Sequence, residues 1–269
     1  MKPNFRVVRA EGARVAELQL YDVIGHDWWS GGGVSSKSVI DALAALADCE
    51  SIDVRINSPG GDASEGVAIY NALARFAGRV VVHVDAMAAS IASLIAMAGD
   101  EIRTAENALW MVHQPWTGVA GDASEMRRVA DVLDRYWSSM LTTYSRRTGM
   151  NGAEVTRRVA AGGGEWWMTA AEAVEAGFSD VAVAAGVEAS TEVAIQASWA
   201  SRFRRAPARV AASATAGEPA RDPIAEAVLE EPRRLRVAAG LSEREQAEIQ
   251  GRFAREHRVR RARALSLLR

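Results

Sequence analysis

One serine, one histidine and a pair of glycines have the types and positions that acyl transfer needs. A serine hydroxyl is a weak nucleophile until a base takes its proton and fixed donors hold the oxyanion that forms on the attacked carbonyl. Ser90 stands between the β-branched run Val80-Val81-Val82-His83-Val84 and an apolar stretch that ends at Gly99. At the head of a helix, the amide of Ile91 has no intrahelical partner and the helix dipole favours negative charge. Gly60-Gly61 follow a second strand-like segment, Ile52-Asp53-Val54-Arg55-Ile56, and lack the side chains that would keep a carbonyl away from the Gly61 amide. Two adjacent strand ends therefore offer one oxyanion hole. Taken singly, Ser90 also reads as a helix cap and Gly60-Gly61 as a tight turn.

Four histidines are candidate bases: His26, His83, His113 and His257. His113 is preferred because it ends a strand, Leu109-Trp110-Met111-Val112, on the side of the sheet that carries Ser90 and Gly61, the carboxyl end where α/β folds place their sites. His83 sits in mid-strand and His257 in a basic tail. An imidazole base needs a carboxylate to hold its tautomer. Glu165, between Gly162-Gly163-Gly164 and Trp166-Trp167, is the candidate, with Asp180 and Asp122 behind it. On spacing alone Glu165 also reads as an exposed turn carboxylate.

The elements that must position these groups follow from apolar periodicity. Phe5-Arg6-Val7-Val8 and Val15 to Leu20 nearly alternate and read as two strands joined by a turn at Gly12. Ser35-Ser36 caps a helix through Val39, Leu43, Ala44 and Ala47. The strand at 52–56, the break at 57–61 and a helix starting at Asp62 form one unit; the strand at 80–84, a turn at 85–89 and a helix from Ser90 to Gly99 form the next. After His113, Asp122 caps a long helical pattern to about Arg147, whose length predicts a projecting arm. A short helix from Thr169 to Ala176, closed by Gly177, precedes a last strand through Val181 and Val183. Strand, turn and helix repeated with short connections imply parallel strands with right-handed crossovers, an α/β class.

Composition excludes several function classes. Of the 269 residues, 49% are hydrophobic and 25% charged, enough for a sizeable core. The longest uncharged apolar run, Ala86 to Gly99, is too short to cross a bilayer and no signal stretch opens the chain, so the expectation is a cytoplasmic protein with no membrane partner. The single Cys49 excludes an intrachain disulfide or a Cys-based zinc site, and no cofactor or metal is expected. Residues 201–269 carry 16 Arg against 9 acidic residues, whereas the first 200 carry 16 basic and 25 acidic. That asymmetry suits an acidic partner or a solvated face, but aromatic interleaving is confined to Trp199, Phe203 and Phe253, so nucleic acid is not the expected partner. Prolines 207, 219, 223 and 232 interrupt the tail, and a domain boundary is placed between 186 and 187.

Four segments, Asn57-Ser58-Pro59-Gly60-Gly61, Met87-Ala88-Ala89-Ser90, Met111-Val112-His113-Gln114-Pro115 and Trp167-Met168-Thr169-Ala170-Ala171-Glu172-Ala173, closely resemble, in order and spacing, the proteolytic subunit of the Clp protease family across about residues 15–185. The resemblance implies a spiral of repeated β-β-α units with a protruding helix, shared with crotonase-type folds, followed by an irregular or helical extension over 187–269. It implies Ser90 as nucleophile, His113 as base, the amides of Gly61 and Ile91 as oxyanion donors, and Glu165 where the housekeeping family usually has Asp. No G-x-S-x-G elbow surrounds Ser90. A ring-shaped homo-oligomer, an extended polypeptide substrate bound beside Gly60-Gly61, and an inter-ring role for the 122–147 helix are further implications.

The N-terminal segment does not match the region with which housekeeping Clp rings engage their ATPase. Glu165, the tryptophans beside it and Trp116 look more like phage-encoded, Clp-related head maturation proteases, whose partners are capsid or scaffold proteins. A housekeeping ATP-dependent subunit with a separate Clp-type ATPase, and a noncatalytic assembly or scaffold subunit on the same fold, are the alternatives. A Ser/Lys dyad is opposed by the lysine inventory: only Lys2 and Lys37 exist, both before Ser90. The same inventory leaves no G-x-x-x-x-G-K-[ST] phosphate loop.

Overall fold

The computed structural model of the chain describes residues 5–26, 32–184 and 203. By contacts the chain divides into Met1–Glu218 and Pro219–Arg269, and the second unit lies outside the described residues. So does the expected extension over 187–269, Phe203 excepted.

Eight strands form one sheet. β1 (Phe5–Val8) pairs antiparallel with β2 (Val15–Leu20). From β2 the order runs through β3 (Ser51–Ser58), β4 (Arg79–Ala89), β5 (Glu101–Ala105) and β8 (Val181–Val183), every pair parallel. β6 (Leu109–His113) lies parallel to the end of β4, and β7 (Glu165–Thr169) runs antiparallel to β6. Parallel neighbours need crossovers, and helices lie in them: α1 (Ser36–Ala45) between β2 and β3, α2 (Ala63–Ala74) between β3 and β4, and the short α3 (Ile91–Ala96) between β4 and β5. Asp62 starts α2 by accepting from the amides of Ser64 and Glu65, and Ser35 starts α1 by accepting from Ser38.

The core fills where the apolar faces meet. Ile52, Val54 and Ile56 of β3 and Val80, Val82 and Val84 of β4 are buried with Ile69 and Leu73 of α2. α3 (Ile91–Ala96) is buried along its whole length. A second block of aromatic contacts joins the far end of the sheet to the helices behind it: Phe178 takes Trp110 at 6.0 Å, Tyr144 at 5.6 Å and Trp166 at 5.4 Å between ring centroids. Tyr144 belongs to α4 (Ala123–Thr148), capped by Asp122 and ended by Gly149 in the left-handed conformation. From Asp122 to Tyr136 no residue of this arm is buried.

Two segments depart from the sequence reading. The turn expected at 85–89 is strand: β4 continues to Ala89 because Met87 and Ala89 pair with Leu109 and Met111 while Ala88 pairs with Ser58 on the other side. Small residues that look like a turn are here squeezed between two neighbouring strands. Glu165 stands in strand β7, not in an exposed turn, and is 6% exposed. Strand β5 and helix α5 (Gly152–Ala161) are additions to the sequence reading.

Candidate active site

Ser90 ends β4 and starts α3, and the chain must reverse direction there within one residue. It does so with φ 55° and ψ −129°, the only positive φ of a non-glycine among the described residues. Such a conformation costs about 1–3 kcal/mol and persists only where the surroundings fix it. They do: the Ser90 amide donates to the Met111 carbonyl at 2.8 Å, and the Ser90 carbonyl accepts from the Ser93 amide at 3.0 Å and the Ser93 hydroxyl at 2.6 Å. That hydroxyl also lies 2.9 Å from the Tyr144 hydroxyl, which is wholly buried. Although Ser90 occupies the N-cap position, its side chain makes no capping bond. It is left for another partner.

That partner is His113, the last residue of β6. Ser90 Oγ and His113 Nε2 are 2.6 Å apart. For the imidazole to accept the hydroxyl proton, Nε2 must be bare and Nδ1 must carry the ring proton, the tautomer that an acid on the far side selects. Glu165 is the cross-strand partner of His113 in the β6–β7 register, and directly opposed residues hold their Cβ atoms about 4.5–5.5 Å apart. Its carboxylate accepts the indole N–H of Trp167 at 3.1 Å.

The two amides expected to hold an oxyanion, those of Gly61 and Ile91, follow the ends of β3 and β4. Ile24 donates to the Gly60 carbonyl at 2.8 Å and its own carbonyl accepts from the Asp62 amide at 2.9 Å. By strand alternation the Gly61 N–H then points to the opposite edge, toward β4. Both glycines are sterically required: a Cβ on Gly61 (φ 151°) would stand 2.0 Å from the Ile24 carbonyl oxygen, and one on Gly60 (φ 91°) 2.5 Å from the Ser90 Cβ. Ile91 is the first residue of α3, so its amide has no partner within the helix.

The remaining candidates lie elsewhere. His83 Nε2 is 2.9 Å from Asp53 on the face of β3 and β4, beside the Arg55–Asp85 pair at 2.6 Å. His26 is exposed, and His257 lies outside the described residues. Asp122 caps α4, and Asp180 accepts from the Ile102 amide at 2.7 Å and pairs with Arg147. Ser93 and Tyr144 join the site without having been singled out from sequence, and Trp167, noted there only as part of a family-like segment, joins it through its hydrogen bond to Glu165; each holds a neighbour, for which no local pattern exists. No group of three or more His, Cys, Asp or Glu able to hold a metal is found among the described residues, and none of their helices is long and apolar enough to cross a membrane.

A mostly parallel α/β sheet with a serine–imidazole pair at its strand ends, and the Gly61 and Ile91 amides following the ends of β3 and β4, defines the class of protein. Within that class, residues 33–186 match the Clp protease family model, more than half of the chain, and the chain belongs to the Clp protease family. It is 34% identical over 140 residues to the ATP-dependent Clp protease proteolytic subunit 1 of Leifsonia xyli subsp. xyli, covering 51% of this chain and 70% of the relative. It is also 34% identical over 161 residues to subunit 2 of Tropheryma whipplei, covering 56% and 87%, and 32% identical over 140 residues to subunit 1 of Mycobacterium tuberculosis, covering 51% and 68%. The fold is that of a ClpP1 variant from Listeria monocytogenes, with a TM-score of 0.53, 20% identity, and coverage of 65% of this chain and 94% of that one.

Proposed function

We propose that the chain is a serine endopeptidase in which Ser90 is the nucleophile, His113 the base, Glu165 the orienting acid, and the Gly61 and Ile91 amides the oxyanion hole. The observation that supports it most is the 2.6 Å contact between Ser90 Oγ and His113 Nε2, made by a serine held in a strained turn. Ser90 Oγ attacks the peptide carbonyl carbon as its proton passes to His113 Nε2; the oxyanion is held by the two amides. The C–N bond then breaks as the imidazolium gives its proton to the departing amine. Water, deprotonated by the same imidazole, hydrolyses the ester, and the proton returns to Ser90 Oγ.

The substrate is an extended polypeptide lying as a strand beside Gly60-Gly61. Assembly into a ring is supported by the arm of α4, whose outer half presents Met126, Val132 and Tyr136 at 49, 46 and 37% exposure, an apolar surface suited to a second copy. The finer reading is maturation of phage heads, with capsid or scaffold proteins as substrates; Glu165 followed by two tryptophans, Trp116 after His113-Gln114-Pro115, and the Arg-rich extension support it. The relatives' names point to ATP-dependent work instead; these 269 residues contain no G-x-x-x-x-G-K-[ST] phosphate loop, so ATP-dependent work would draw on an ATPase outside them.

A fluorophosphonate followed by intact mass measurement tests the reading. Wild type gains one adduct, mapped to Ser90, while Ser90→Ala gains none. Incubation with a capsid or scaffold polypeptide encoded beside it gives clipped products with wild type alone. A folded, assembling wild type that takes no adduct would make it a noncatalytic subunit.

A further inference from the structure

The strands that carry the site have a second apolar cluster on the face turned away from the main core. Met87 and Ala89 of β4, Leu109 and Met111 of β6 and Trp167 of β7 build it, whereas their neighbours Ala88, Trp110, Val112 and Met168 face the core. In the β6–β7 register the pairs Leu109↔Thr169, Met111↔Trp167 and His113↔Glu165 alternate along the strands, so all three fall on one face. The apolar cluster is therefore the rung next to the histidine and its acid, two residues or about 7 Å away.

Among the described residues, one from beyond the sheet covers it. Phe203 is 8% exposed and packs into the cluster, its ring meeting Trp167 edge to face with centroids 5.1 Å apart at 87°. It is an isolated apolar anchor in an arginine-rich stretch, Ser201-Arg202-Phe203-Arg204-Arg205. Trp167, clamped on one side by Phe203, donates its indole N–H to Glu165 at 3.1 Å. The geometry points to this face as the docking site for the chain's own C-terminal extension, anchored by Phe203, with Trp167 the link through which docking fixes the Glu165 carboxylate. Phe203 is then a positioning residue. This second half rests on the peptidase reading; the docking does not.

Two measurements on the full chain test it. In a Cys49→Ala background, Leu109→Cys with Phe203→Cys is treated with a short bismaleimide. Bridging within one chain is expected; bridging between chains, or none, overturns the docking. In otherwise native protein, Phe203→Ala is expected to lower the limiting rate of fluorophosphonate labelling about two- to tenfold with little change in reagent affinity. Phe203→Leu should restore most of it, and Trp167→Phe should make Phe203→Ala nearly silent, since both act through one contact. A Phe203→Ala rate equal to wild type, or a loss fully additive with Trp167→Phe, overturns the link to Glu165. Wild type that labels while the cysteine pair fails to bridge in cis retires docking alone; a pair that bridges in cis in protein whose Ser90 never labels supports docking and retires the peptidase.

Discussion

Gly60 stands so close to Ser90 that a methyl group added to it would lie 2.5 Å from the serine Cβ and 2.8 Å from the Ala89 carbonyl oxygen. Neither neighbour is a flexible tip. Gly60 is also at φ 91°, where a side chain is strained in any surroundings. Gly60→Ala must therefore displace Ser90, whose backbone is already strained. The expected outcome is a fall of at least about a hundredfold in Ser90 labelling with a stability loss of about 2–4 kcal/mol, read by intact mass and by denaturant unfolding. Gly12→Ala, at φ 72° but with nothing within 4 Å of an added Cβ, keeps the conformational cost without the clash, so it should cost less stability and leave labelling unchanged.

The carboxylate opposite His113 is expected to matter through its charge as well as its shape. In Ser-His-acid sites, turning the acid into its amide keeps the geometry but reverses the tautomer preference, and rates fall by about 10⁴. Glu165→Gln should lose labelling on that scale. Trp167→Phe removes one hydrogen bond of 3.1 Å to the same carboxylate and keeps the ring, so its loss should be confined to about tenfold. Equal labelling by Glu165→Gln and wild type would reassign the acid.

These roles show what was legible in the sequence. Ser90, His113 and Gly60-Gly61 stand at strand ends, where periodicity stops and a turn residue or a polar group interrupts an apolar run; such punctuation is local and readable. The caps at Ser35, Asp62, Asp122 and Thr169 are equally local. Glu165 was found as a residue type but not as a buried one, because its burial comes from pairing with β6, 52 residues earlier in register with His113. Strand β5 escaped for a similar reason: Glu101, Arg103 and Ala105 alternate with Ile102 and Thr104, but only two positions are buried and the register with β4 and β8 fixes the rest. Ser93 and Tyr144 carry no signal in one dimension, and Trp167 only that of a segment resembling a family, since the contact each makes is defined by what it touches.

Ser93 and Tyr144 supply an alkaline test. Burial pushes the Tyr144 hydroxyl well above its ordinary range, with the Ser93 hydrogen bond a smaller, opposing influence. Burial, then the hydrogen bond to Asp85, does the same to Tyr21. A folded value raised above the unfolded one contributes stability that is whole below about pH 10 and is lost as pH rises from there through the folded value. Phenolate absorbance of these two of the four tyrosines should therefore appear together with unfolding. Tyr144→Phe should flatten the alkaline fall, whereas Ser93→Ala, which strands a buried hydroxyl, should cost about 1–3 kcal/mol near neutrality. Independent titration of Tyr144 in folded protein would contradict the burial that holds the Ser90 turn.

The acid side is set at the other end of the site, where β7 hands over to α6 (Ala170–Glu175). The Thr169 side chain accepts from the Glu172 amide at 3.3 Å, and the Glu172 carboxylate accepts from the Thr169 amide at 2.7 Å and hydroxyl at 2.8 Å, a reciprocal capping box. The Thr169 amide first, then its hydroxyl, hold the Glu172 carboxyl below its ordinary range. A depressed folded value contributes stability that is present above the unfolded value of about 4.3 and vanishes as pH falls through the folded one. Glu172→Gln should thus be less stable than wild type at neutral pH, with the gap closing below about pH 4. Thr169→Ala removes the cap itself, at about 0.5–2 kcal/mol. Thr169 is two residues from Trp167 and four from Glu165, so the same cap anchors the strand that presents the acid. Labelling of Ser90 in Thr169→Ala should therefore fall more steeply with temperature than in wild type, and a labelling curve that tracks wild type while the unfolding midpoint drops would show that β7 is held by β6 alone.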